Sequence, residues 1–367
     1  MSLLLSYLDS PRPCQNFVLL QSSVSQSSLP LLRYIIAHNE SVEKHLFCFL
    51  HPSSSLVKNT QSNVQIHEYL DRIPGYNDPW LDPCLEVSKI IENVPSSNPI
   101  EVILDSVDTL LTDNGSISDT YKFLRSLMTL ITARSSMYPS SHPKTTSLHL
   151  NPITISEHSK LILHLTTPNK LLPLLLSTAF SPTLIQFIAH PPVLFTHLAT
   201  EYMTPPPPLT PDAKFWGIFI PISERGRDTE ALVFGQEGEG SGGQEEMVVE
   251  VLVRGGSDAS GRRKAVERLL EGWDIENSLP LDLSKMKSLA SIWRRKIVTE
   301  EAAPDPTQNV SFNLHLTPSQ QESRARVPLP YAHEGLPPAQ SAPGAILYDP
   351  DSADDIDDDD PDEDLDI

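Results

Sequence analysis

For two hundred residues this chain alternates short apolar runs with amphipathic stripes, and that alternation leaves few folds open. Phe17-Val18-Leu19-Leu20 reads as a buried strand. Ser27 or Ser28 at the cap and Pro30 in the first turn then predict a helix with Leu29, Leu32 and Ile36 on one face. Residues 46–50 predict a second strand and residues 64–69 a weaker third. Residues 84–93 suggest a helix through Leu85, Ser88 and Ile91, and Ile100-Glu101-Val102-Ile103-Leu104 is a strand ending at Asp105. Leu124, Leu127, Met128 and Ile131 fall at i, i+3, i+4 and i+7, the spacing of one helix face. Residues 161–165 and 184–188 add strands around a Leu-rich helix near 171–179. Strands that alternate with helices build βαβ units, so the expected fold is α/β with a mostly parallel central sheet.

The pattern changes after the four prolines at 205–208. Glycine marks the change: only Gly75 and Gly115 precede Trp216, and the other thirteen follow it. Residues 215–220 and 247–253 read as two strands of a hairpin, joined through an acidic, Gly-rich connection at 235–243. Val266, Leu269, Leu270 and Trp273 have helical spacing, as do Met286, Leu289, Ala290 and Trp293. From about residue 298 the composition turns to Pro, Ala, Gln, Ser and Asp, as in chains that stay disordered alone. The expected division is a single α/β domain over 1–297 with a flexible loop at about 235–245, a disordered segment over 298–347, and an acidic tail over 348–367.

Lys and Arg total 27 against 48 Asp and Glu, a formal charge of -21, and twelve of those acids lie between Asp349 and Asp366. An acidic body argues against a free-standing nucleic-acid binder, because neutralising phosphates takes net positive surface. Cys14, Cys48 and Cys84 are far apart and form no CxxC, which suits a reducing compartment better than a disulfide framework or a zinc site. The N-terminus lacks the basic n-region of a signal peptide, and no apolar run is long enough to cross a bilayer. Cytoplasm and nucleus are the expected locations, with no membrane contact.

An α/β chain raises the question of nucleotide binding. A P-loop needs glycines where backbone wraps a phosphate and a lysine to meet the β- and γ-phosphates. After the first strand, Gln21 and Gln26 stand where the glycines would be and Ser27 where the lysine would be; only Ser28 matches. Such a turn can start a helix but lacks the charge and backbone freedom to hold a triphosphate. Asp105 has the position of a Walker B acid, which holds magnesium. Without a P-loop partner it is expected to be solvated at the strand end or to form an Asx-type turn with Ser106. The GxGxxG match at 238–243 is flanked by Glu237, Glu245 and Glu246 and leads into a strand, the wrong context for pyrophosphate. His164 and His190, in or beside strands, read as satisfied core residues, and the basic clusters at 262–264 and 294–296 as solvated charge. No catalytic residue, cofactor or metal site is expected.

The last third carries the most distinctive sequence. Val310-Ser311-Phe312-Asn313-Leu314-His315-Leu316 alternates apolar and polar residues; Arg326 leads into Val327-Pro328-Leu329-Pro330-Tyr331; and Ile346-Leu347-Tyr348-Asp349-Pro350-Asp351 opens the acidic tail. Phe312, Leu314, Leu316, Arg326, Leu329, Pro330, Tyr331 and Tyr348 read as elements of short docking motifs that order on a partner. The tail itself is either a solubilising extension or an electrostatic hook for a basic surface.

These motifs strongly resemble the C-terminal region of the Elongator complex protein 5 family, the fifth subunit of Elongator, as found in fungi. The resemblance extends to the N-terminal part, with residues 21–28 filling a degenerate loop after the first strand. It implies a RecA-like domain without working nucleotide motifs and a non-catalytic, structural role. It further implies a hetero-hexameric ring with the fourth and sixth Elongator subunits, docked on the catalytic subcomplex. Such a ring binds tRNA and supports modification of the wobble uridine at position 34. An alternative of another class stays open from the residues: an acidic nuclear chaperone or adaptor whose tail binds basic proteins.

Overall fold

The apolar runs of the first half become the parallel part of one sheet. A computed structural model of the chain describes residues 2–9, 15–39, 41–57, 62–72, 82–95, 98–136, 159–235, 245–255, 266–298 and 318–326. Among them lie β1 (Phe17–Ser23), β2 (Glu43–Cys48), β3 (Val64–Glu68), β4 (Ile100–Leu104), β5 (Lys160–Thr167), β6 (Leu184–His190), β7 (Glu246–Arg254), β8 (Glu267–Asp274) and β9 (Leu279–Leu281). They form one sheet in the order β3-β2-β4-β5-β1-β6-β7-β8-β9. Every pairing from β3 to β6 is parallel, and β6 to β9 pair antiparallel. The parallel strands β1, β4 and β5 are apolar at successive positions, not at alternate ones, because helices cover both faces.

On one face pack α1 (Leu3–Asp9), α2 (Leu29–Ala37) and α3 (Ser53–Leu56), burying Leu4, Leu31, Ile36 and Leu56 against Leu20, Ile103, Ile162 and Phe187. On the other lie α4 (Pro83–Asn93), α5 (Val107–Asn114), α6 (Ile117–Ser136) and α7 (Leu172–Leu176), over Leu19, Val102, Leu104 and Leu163. Complete burial of such a side chain stabilises by about 1.5–3 kcal/mol. Local chemistry sets the ends. Asp82 caps α4 by accepting from the Cys84 N–H, Ser106 caps α5 by accepting from the Thr109 N–H, and Gly115 closes α5 at φ 64°, where a side chain would strain the backbone. From the last turn of α6, the Arg134 guanidinium reaches the carbonyls of Ile91, Val94 and Pro95 at the end of α4.

A third cluster covers the β7–β8 end of the same face as α4 to α7. It is built by α8 (Pro192–Glu201), α9 (Asp212–Ser223) and α11 (Ala290–Val298), with α10 (Gly226–Phe234) between α9 and β7 in the chain. Here the structure departs from the sequence reading twice. Residues 215–220 are helical, within α9, so β7 has no hairpin partner there and pairs with β6 and β8. Phe215, Phe219 and Ile222, at i, i+4 and i+7, face the cluster. The stretch 266–273, expected as a helix, runs from just before β8 through most of that strand. Both faces of β8 are partly covered: Leu269 and Trp273 pack toward α1 and α2, Leu270 toward α9, so a two-sided strand mimics a helical stripe. Gly272 lies where a Cβ would come within 2.6 Å of the Met286 sulfur. The helix expected near 171–179 is reduced to the single turn of α7, and the one expected from Met286 begins only at Ala290.

The described residues contain no helix long and apolar enough to cross a membrane. A second unit, Ala302–Ile367, carries α12 (Pro318–Ala325).

Candidate functional site

In open α/β sheets the ligand crevice lies beyond the C-terminal ends of the strands. Here the ends of β1, β2, β4 and β5 meet, and their side chains bond to one another. The Ser22 hydroxyl accepts the Ser28 amide N–H at 2.8 Å and lies 2.9 Å from the Ser28 hydroxyl and 2.8 Å from His164 Nε2. His164 Nδ1 sits 2.6 Å from the Asp105 carbonyl oxygen, which can only accept, so Nδ1 carries the proton. Nε2 then accepts from the Ser22 hydroxyl, and Ser22 accepts from Ser28. Burial pushes the His164 pKa down, which keeps the ring neutral and this direction of bonding fixed. Ser28 is fully buried, and Ser22, Gln26 and His164 are each 3% exposed.

That arrangement occupies the place of a phosphate. The amide at the start of α2, which would face an anion, is spent on Ser22. Gln21 accepts from the Gln186 carboxamide at 2.7 Å, and Gln26 lies against Ser27 O and the Met247 sulfur. Ser27, at the lysine position, is exposed and accepts from the Leu29 N–H. A Ser–His pair invites a hydrolytic reading, but both members are closed off, and the imidazole's second nitrogen is hydrogen-bonded to a backbone carbonyl and not to a carboxylate.

Asp105 is neither solvated nor in an Asx turn with Ser106, as the sequence reading had it. It is fully buried. Its carboxylate accepts from the amides of Phe49 at 2.6 Å, Leu50 at 3.0 Å and His51 at 2.6 Å, and from His51 Nδ1 at 3.1 Å. The chain after β2 wraps three successive amides around it, so both carboxylate oxygens accept from the chain itself. Beside it, Asp108 accepts from the Thr166 amide and the Asn169 carboxamide, pinning the end of β5. Among the described residues no three His, Cys, Asp or Glu side chains come together as metal ligands.

Of the expected docking residues, Arg326 is described. It lies just beyond α12, exposed, 4.0 Å from the Glu322 carboxylate. Phe312, Leu314, Leu316, Leu329, Pro330, Tyr331 and Tyr348 lie outside the described residues, as do the GxGxxG match and the cluster at 262–264. Arg294 is exposed on α11, and Trp293 donates to Leu283 O at 3.2 Å. His190 is buried and lies 3.0 Å from Glu250.

Sequence reading passed over two buried polar groups on β2 and its neighbours. Lys44 is fully buried and donates to Ile35 O at 2.8 Å, Ile36 O at 2.9 Å and His38 O, capping the end of α2. Glu101 lies 4.0 Å from Lys44 and 2.9 Å from Lys160 on the adjoining strands. The available signal was a charge inside each of two apolar strands. Below this ladder His45 Nδ1 lies 3.5 Å from His67 Nε2, with Glu43 at 3.6 Å from the other His45 nitrogen. Burial, then the neighbouring His67 and Arg134, push the His45 pKa down to about 4, and burial also lowers His67.

These histidines make stability depend on acid. His45, His67 and His164 stay neutral in the folded chain below the pH at which the unfolded chain protonates them. Their contribution is intact above the unfolded value near 6.5 and is lost as pH falls below it, for His45 down to about 4, at up to ~1.4 kcal/mol per pH unit for each group. The melting midpoint at pH 5 is expected to lie roughly 5–10 °C below that at pH 7.5. Equal midpoints in a thermal scan would show that these rings are not neutral and buried.

A mostly parallel sheet with helices on both faces and its strand ends bonded to one another defines an open-sheet α/β protein. A family model described as Elongator subunit Iki1 matches residues 3–349, and the chain belongs to that family. It is 43% identical over 70 residues to Elongator complex protein 5 of Mus musculus, covering 17% of this chain and 23% of that one. The Homo sapiens protein of the same name is 40% identical over 70 residues with the same coverage, and the Danio rerio protein 36% identical over 74 residues, covering 18% and 25%. These alignments thus span about a quarter of the curated relatives. A KaiC-like protein from Pyrococcus horikoshii superposes over 73% of this chain and 88% of its own, at 9% identity and a TM-score of 0.35.

Proposed function

We propose that this chain is a non-catalytic structural subunit of Elongator, joined to the fourth and sixth subunits in a hetero-hexameric RecA-like ring. The ring docks on the catalytic subcomplex, binds tRNA and supports modification of the wobble uridine at position 34. Its place of work is the cytoplasm and nucleus. The observation that carries the non-catalytic reading is the sealed crevice. Its helix-start amide, its hydroxyls and its strand-end acid are all bonded within the chain, so phosphate and magnesium have nothing left to displace cheaply. Family membership supports the assembly.

Purification of the tagged full-length chain from native extract tests the assembly: two α/β partners of similar size are expected in equal amount. A lone monomer would end this reading. The sealed crevice is tested apart from the assembly, by titrating the isolated chain with magnesium-ATP. No saturable binding is expected up to millimolar nucleotide, and micromolar affinity would mean that the crevice opens.

A further inference from the structure

Between the two apolar clusters on the α4–α7 face of the sheet runs an open trough of about 610 Å³. Trp216 and Ile220 of α9 form one wall, Leu252 of β7 the floor, and Val266, just before β8 and 52% exposed, the rim. Two guanidinium groups line it, Arg254 at the end of β7 and Arg268 on β8.

The charges there are under-balanced. Arg254 donates to the carbonyls of Leu176 and Ser181, its Nε–H is buried with no acceptor, and no carboxylate among the described residues pairs with it. Burial lowers its pKa, the direction expected of a cation held away from water without a counter-ion. Arg268 lies 3.1 Å from Glu250, but that carboxylate also lies 3.0 Å from His190, so one acid serves two bases. Buried or half-buried cations are normally paired. In a chain of net charge -21, two arginines beside apolar surface, one without a carboxylate partner among the described residues and the other on an acid it shares with His190, are a local reversal of sign.

We propose that this trough is a docking site for an acidic peptide segment of a partner protein, one that carries an apolar or aromatic side chain next to its carboxylates. The apolar side chain fills the space between Trp216, Ile220 and Leu252. The carboxylates meet Arg268 and the part of the Arg254 guanidinium that lines the trough, where charge-assisted pairs are strongest in partly dry surroundings. RNA fits less well. A base would need the face of Trp216, but Arg268 stands 6.0 Å over that ring, and Phe215 and Phe219 pack edge-on against it. The inference rests on this trough and not on the assembly proposed above.

The test is fluorescence anisotropy with the full-length chain and a labelled peptide in which a leucine–tyrosine pair precedes four aspartates. Saturable binding is expected, falling as salt rises. Arg268→Gln and Val266→Asp should each weaken it about ten-fold or more, a loss of ~1.4 kcal/mol. Val266→Asp sits on the rim and should leave the melting midpoint unchanged, so its loss of binding cannot be assigned to unfolding. The proposal is overturned if the peptide fails to bind, if its counterpart with four lysines binds as well, if both variants bind like the parent chain, or if oligouridylate displaces the peptide and binds more tightly.

Discussion

Asp105→Ala should lower the melting midpoint by roughly 10 °C or more, equivalent to about 4 kcal/mol in a chain of this size. The substitution removes the acceptor of three successive amides, at Phe49, Leu50 and His51, together with that of His51 Nδ1. Each buried donor left without a partner costs about 1–3 kcal/mol, and water entering the loop recovers part of it. Asp105→Asn is the sharper comparison. It keeps the shape but turns one acceptor into an NH₂ that faces N–H donors, so it too should destabilise, by about 2–3 kcal/mol. An acid held ready for a metal behaves in the opposite way, since neutralising an uncompensated charge relieves the apo fold. A thermal scan of the asparagine variant separates the two. A midpoint equal to or above that of the parent would restore Asp105 as a candidate metal-directing acid.

Which parts of this molecule could be read in one dimension follows from the range of the interactions. Strands β1, β4, β5 and β6 are apolar runs between turn residues, and α6 shows its face at i, i+3, i+4 and i+7; each signal is local, and each element stands where the residues place it. The region beyond the prolines is harder because apolar density there no longer reports period. In α9 the run Phe215-Trp216-Gly217-Ile218-Phe219-Ile220 looks like a strand because α9 is apolar nearly all round, packing on α8 on one side and lining the trough on the other. From Val266, just before β8, through Leu269, Leu270 and Trp273 in it, the spacing is helical by coincidence of two covered faces.

The crevice was half legible. That residues 21–28 depart from a P-loop is visible in residue types alone, since glutamines and serines stand in place of its glycines and lysine. What the loop does instead depends on His164, which is 142 residues from Ser22 in the chain, and Asp105 depends on a loop more than fifty residues earlier. No pattern within a window of a helix or strand contains those partners. The same distance hid Glu246, whose carboxylate accepts from the amides of Lys287 and Ser288 and so ties the approach to α11 onto β7.

Lys44→Met is expected to cost as much as the loss of Asp105, for a different reason. Lys44 Nζ is the donor for three carbonyls at the end of α2, groups that a helix cannot satisfy internally, and its charge lies at the negative end of the helix dipole. Removing it leaves those carbonyls buried without donors and reduces Glu101 to its bond with Lys160. Breaking a buried ionic group on one side costs about 3–5 kcal/mol, or roughly 10 °C in the melting midpoint. Lys160→Met is the control. Lys160 is the more accessible of the two lysines, at 11% side-chain exposure, and its loss leaves Lys44 beside Glu101, so about half the cost is expected. The two ends of α2 are thus held by different chemistry, the start by the Ser22–Ser28 hydroxyls and the end by Lys44, and a helix fixed at both ends cannot swing aside to admit a ligand to the crevice. Hydrogen exchange over residues 29–37 reads this directly. Faster exchange throughout α2 in Lys44→Met, at a temperature where the rest of the sheet stays protected, is the expected result. Unchanged protection there would mean that packing alone holds the helix and that the buried lysine is incidental to closing the site.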